Sequence, residues 1–113
     1  MAKGNVYLLR VEGTDIYKIG FSASNPSKRV KSLQTGNAYP IVLVDYFESD
    51  YARKIEKTLH RSYSHFKYIE SDFFRLKGEW FALEFSTFYF FKDTCDRIEK
   101  NLVDIKRIKA NII

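Results

Sequence analysis

Two segments, NVYLLRV at 5–11 and IYKIGFS at 16–22, stand four residues apart and are rich in β-branched and aromatic side chains. Strands this close, joined by the turn-forming EGTD, can pair only as an antiparallel hairpin. Side chains alternate along a strand, so setting Val11 opposite Ile16 determines every other partner in the ladder. Tyr7 then lies opposite Gly20, with Lys18 its diagonal neighbour on the same face, about 7–8 Å away. The other face carries Val6, Leu8, Tyr17, Ile19 and Phe21, a core surface that makes Tyr17 structural. Tyr7 and Lys18 share the face away from that core, and Gly20 leaves room there for something to approach. A lysine in mid-strand beside a phenol asks for a chemical explanation.

Downstream, NPSKRVKSLQTG carries the punctuation of a helix: Asn25 suits the N-cap, Pro26 the first helical position and Gly36 the stop. Val30 and Leu33 face inward on it. IVLVDYF at 41–47 reads as a third strand. Ser49 or Asp50 caps a second helix running to about residue 66, with Ala52, Ile55, Leu59, Tyr63 and Phe66 forming one apolar stripe. An aromatic-rich loop follows, then GEWFALEF as a short extended piece. From Ser86 a third helix runs to near the end, and Phe91, Cys95, Ile98, Leu102, Ile105 and Ile112 keep a near-heptad spacing interrupted by Lys109. The expected fold class is α/β: a small three-stranded, mainly antiparallel sheet flanked by helices, plus a long C-terminal helix. The body covers residues 1–85 and the helix 86–113.

A chain of 113 residues is large enough to bury a core without metal or disulfide staples. The single Cys95 excludes an intramolecular disulfide and a multi-cysteine zinc site, and on an apolar stripe it reads as a small buried hydrophobe. No apolar stretch is long enough to span a bilayer, and MAKGN lacks the apolar core of a signal peptide. A reducing, cytoplasmic setting is expected. The net charge of +5 is uneven: residues 1–40 hold six Lys or Arg against two acids. That field favours a polyanion such as nucleic acid.

At Asn5-Val6-Tyr7 and Lys18-Ile19-Gly20 the chain resembles the GIY-YIG nuclease superfamily, and most closely a phage and bacterial branch whose second motif reads YKIG. Arg29 in NPSKRVKSL, Glu56 and His60 in IEKTLHRSY, and GEWF at 78–81 continue the same ordered set. The resemblance covers roughly residues 4–83. Asn5 replaces the glycine that opens the first motif, Lys18 replaces the tyrosine of the second, and Leu33 stands where many members have a histidine. The late asparagine of several relatives has no counterpart.

The resemblance implies a metal-dependent endonuclease that hydrolyses DNA phosphodiesters in a bacterial or phage-infected cell, with RNA as an alternative substrate. It implies one divalent cation, Mg²⁺ or Mn²⁺, held by Glu56. Tyr7 becomes the candidate base. A free phenol has a pKa of about 10, so Lys18 is expected to favour the phenolate and to touch the phosphate. Arg29 would clamp non-bridging oxygens with its planar fork, flanked by Lys28 and Lys31 on the nucleic-acid face. His60, one turn after Glu56, would orient the phosphate or assist a proton transfer.

Taken singly, each of these residues has an ordinary reading: a half-buried strand tyrosine, a solvated lysine, the wet side of a helix, a surface Glu–His pair. Their recurrence in order with the right gaps tips the balance. Two rivals stay open. One is an inactive nucleic-acid-binding module with the same fold. The other is a small interaction protein for which the C-terminal helix seam is the point and the basic face incidental. At about 25 residues that helix is nearly 40 Å long, longer than the body it would cover, and its apolar seam suggests pairing with a second copy, which would offer two cuts, one per strand.

Overall fold

The computed structural model describes residues 3–35, 37–68, 79–84 and 89–112. β1 (Gly4–Val11) and β2 (Ile16–Ser22) form the expected hairpin, and Tyr7 pairs with Gly20. The turn is built for this register. Gly13 adopts φ 76°, and the Thr14 hydroxyl donates to the Val11 carbonyl at 2.8 Å while accepting from Ile16 N–H at 3.1 Å.

β3 (Ile41–Ser49) joins the far side of β1, also antiparallel, with a register shift between Leu8 and Leu9. The sheet has four strands in the order β3-β1-β2-β4 rather than the three expected. The addition is β4, only Phe81–Ala82, drawn from the GEWFALEF segment onto the turn end of β2 at Ile16 and Tyr17. Strand signals need several residues of alternation, and two residues carry none.

α1 (Pro26–Thr35) begins as read: Asn25 Oδ1 accepts from Ser27 N–H at 2.9 Å. α2 (Ala52–Ser62) follows β3 at once, and the Ser49 hydroxyl accepts from Tyr51 N–H at 2.9 Å. The helix ends earlier than expected, giving way to a 3-10 turn at Ser64–Phe66, and Phe66 is 53% exposed rather than part of the buried stripe. α3 (Phe91–Ile112) is the long C-terminal helix. Gly36, Gly78 and Ser86, read as a helix stop, a motif glycine and a helix start, lie outside the described residues.

The sheet is covered on both faces, which corrects the expectation of one core and one open face. On the first face Val6, Leu8, Tyr17 and Ile19 pack against Ile55 and Leu59 of α2 and Phe91 and Cys95 of α3. Burying a side chain such as Ile55 or Leu59 is worth about 1.5–3 kcal/mol. On the second face Tyr7, Leu9, Val11 and Ile16 gather with Ile41 and Trp80, and Val30 and Leu33 of α1 pack against them. NVYLLRV is thus a strand buried on both sides, and its near-continuous apolar run is the sequence mark of that position. Cys95 is fully buried and its thiol is pushed up to about 12 by that burial, consistent with an inert core residue. The apolar seam of α3 runs off the body: Ile98 and Leu102 still pack on it, but Ile105 is 49% exposed.

Candidate functional site

Because β4 stops after two residues, its ladder covers β2 only at Ile16 and Tyr17. Extending the same register backward would set Trp80 against Lys18 and Glu79 against Ile19. The Lys18 ammonium does lie 5.6 Å from the centre of the Trp80 ring, within cation–π range. At Ile19, however, the ladder is replaced by a side chain. His60 Nε2 of α2 reaches the Ile19 carbonyl at 2.6 Å, and Nδ1 faces Glu79 Oε2 at 3.3 Å. The ring also meets Phe81 edge-on, with centroids 5.1 Å apart. A strand-edge carbonyl needs a donor, and the imidazole supplies it. Both ring nitrogens thus face oxygen atoms.

Glu79 is fastened a second time by Lys67 Nζ at 3.0 Å from Oε1. Lys67 and His60 together hold its carboxyl below the usual range, with the Lys67 hydrogen bond the largest cause. Glu79 stood inside the GEWF motif without an assigned role, and Lys67 carried no sequence signal; their pairing links segments that only the fold brings together.

On the same edge, Lys18 is partly withdrawn from water. Its ammonium is held less firmly than that of a free lysine, first through burial and then through the charge of Arg29, while Glu79 and Glu56 act in the opposite sense. Arg29 from α1, Glu56 from α2 and Lys18 from β2 therefore share one electrostatic neighbourhood. Tyr7 belongs to it through the sheet. It is 2% exposed, and its phenol occupies the space a Cβ would fill at Gly20, two residues beyond Lys18. What approaches Gly20 is Tyr7 itself.

Asn5, in place of a motif glycine, is buried and donates to the Ser24 carbonyl at 3.2 Å, tying β1 to the start of α1. Arg29 is exposed on that helix, as are Lys28 and Lys31. Glu56 and His60 are half-buried, one turn apart on α2. The larger of the two described cavities lies elsewhere, along the N-terminal half of α2.

Among the described residues no three His, Cys, Asp or Glu side chains gather as they would around a caged metal. Glu79 is committed to Lys67 and His60. Glu56 has no hydrogen bond or ion pair among the described residues. A single half-buried carboxylate fits a hydrated Mg²⁺ or Mn²⁺ that completes its shell with water and phosphate oxygens, and does not fit a protein-enclosed ion.

No curated protein and no solved structure matches the chain. The T5orf172 domain, a fold associated with the GIY-YIG nuclease superfamily, matches residues 4–105, from the first residue of β1 into the exposed end of α3. By that match over nearly its whole length, the chain belongs to the T5orf172 domain family.

Proposed function

We propose that this protein is a metal-dependent endonuclease that hydrolyses phosphodiester bonds in DNA. What supports the reading is the neighbourhood of Lys18: the charges of the Arg29 guanidinium and the Glu56 carboxylate both act on its ammonium, on the strand whose Gly20 pairs with Tyr7. Three chain segments contribute to it.

Arg29, exposed at the mouth, grips non-bridging phosphate oxygens, with Lys28 and Lys31 drawing the neighbouring backbone. Lys18 sits deeper and meets the charge that builds on the phosphate as water attacks. Tyr7, aimed by its seat over Gly20, accepts the proton of that water as it passes its own hydroxyl proton on in relay to solvent. His60 has both nitrogens engaged, so it acts as a positioning residue that sets the α2 turn carrying Glu56 rather than as a proton carrier. A Mg²⁺ or Mn²⁺ ion held by Glu56 would supply positive charge to the phosphate and the departing 3′ oxygen.

The protein would work in the cytoplasm of a bacterial or phage-infected cell. The exposed end of α3 would pair with a second copy, giving one active site per DNA strand; sedimentation showing only monomer at high micromolar concentration removes that part. The central test is supercoiled plasmid incubated with Mg²⁺ or Mn²⁺, wild type beside Glu56→Ala. Nicking or linearisation by the wild type alone is expected. Intact plasmid in both lanes, with DNA binding retained, would instead assign the fold to a binding module.

A further inference from the structure

The described cavity of about 510 Å³ lies along the N-terminal half of α2 and is lined by Lys3, Arg53, Lys54 and Lys57 over a floor that includes Phe21. Its acid is Asp50. Lys3 has a loose contact with Glu48 at 4.0 Å; Arg53, Lys54 and Lys57 have no carboxylate partner among the described residues. Unpaired cations gathered around one groove repel each other, an arrangement that an anionic ligand relieves.

Arg53 is also held in place. Its guanidinium sits 4.1 Å from the centre of the Phe21 ring, and that ring lies where a Cβ at Gly4 would be. Stacking on an aromatic ring orders the guanidinium while leaving its N–H groups to acceptors around its edge.

The position of the groove supplies the ligand. Successive residues turn 100° around a helix, so Arg53 and Lys57 form a stripe directly beside that of Glu56 and His60, on the side away from Ile55 and Leu59. From Arg53 to Glu56 the helix rises about 4.5 Å, a little over one phosphate step of one strand at about 3.4 Å of duplex axis each. One polyanion can therefore lie across both stripes.

We propose that the Lys3–Arg53–Lys54–Lys57 groove is a second phosphate-binding site, which holds the nucleic-acid backbone next to the phosphate at Glu56. It rests on the nucleic-acid reading of the Glu56 edge but not on catalysis there.

The test is binding of a labelled DNA duplex to the full chain in EDTA over a series of salt concentrations. The variant is the triple Arg53→Gln, Lys54→Gln, Lys57→Gln; the control removes the same charge from the first half of α3, away from its exposed end, with Lys92→Gln, Arg97→Gln, Lys100→Gln. The groove variant should lose at least about tenfold in affinity, and its plot of log K against log salt should flatten by about 2–3, with the control close to wild type. A groove variant with the wild-type slope overturns the proposal, as does wild type that binds no DNA, or poly-glutamate binding as tightly with the same dependence on the triple. Cleavage assays separate the two readings. Groove-dependent binding without cleavage leaves the groove and removes the nuclease; unchanged binding and kcat/KM in a cleaving groove variant does the reverse.

Discussion

The Tyr7 phenol fills the space that a Cβ would take at Gly20, its cross-strand partner. Gly20→Ala must therefore displace a ring that is packed into the second core, and overpacking of this kind costs about 1–3 kcal/mol. Urea denaturation should show that loss, together with reduced nuclease activity. A variant as stable and active as wild type would mean that the ring has another seat.

Lys18 carries a cost in the fold. Its folded pKa lies below the ordinary lysine value of 10.5, so between the two values the unfolded chain binds more protons and stability rises with pH. Lys18→Met should melt higher than wild type at neutral pH, and the gap should narrow as pH climbs toward 10.5. The same variant should have no nuclease activity. Equal melting temperatures across that range would contradict the burial of the ammonium.

Glu56→Ala should lower cleavage by at least about a hundredfold, the scale for removing a group that stabilises developing charge. Binding of DNA in EDTA should change little, and tyrosine replacement at the other end of the site, Tyr7→Phe, should behave alike. Loss of binding in step with cleavage would place these residues in adhesion instead of chemistry.

The register of the hairpin rests on taking the short turn with Val11 opposite Ile16, and the observed pairing of Tyr7 with Gly20 agrees with that choice. The second core was not legible from alternation alone. Tyr7, Leu9 and Val11 form an apolar set as complete as Val6 and Leu8, yet which helix covers each set depends on the crossover through α1. Phe66 fitted the three/four spacing but falls beyond Ser62, where α2 ends. The His60–Glu79–Lys67 cluster joins α2, the residue after the 3-10 turn and the segment just before β4, and spacing along the chain says nothing about such a meeting. Arg29, Glu56 and Lys18 were found through motif order, a record of family pattern and not of physics in any one segment.

Glu79→Gln tests the clasp around His60. The Glu79 carboxyl is depressed below 4.5, so its stabilising effect is present above that pH and is lost as pH falls through the lower folded value. The variant should be slightly less stable than wild type at pH 7 and equal to it in strong acid. The side chain is 44% exposed, so the effect on stability is small, whereas release of His60 should weaken cleavage more clearly. Activity unchanged in this variant would free His60 from any positioning role.

Ser49 is the joint between three elements. It is 4% exposed; its hydroxyl donates to Glu99 of α3 and accepts from Tyr51 N–H before α2. Ser49→Ala should cost about 1–2 kcal/mol, read as faster amide exchange along the first turns of α3. Exchange left at the wild-type rate would show that Phe91 and Cys95 alone dock the helix.

A longer β4 would be an antagonist of this protein's own work. Were Glu79 to pair with Ile19 by main chain, the imidazole would be evicted and a wall of backbone would rise between Lys18 and the carboxylate on α2. Two residues of pairing anchor the segment, and a third would begin to shut the doorway.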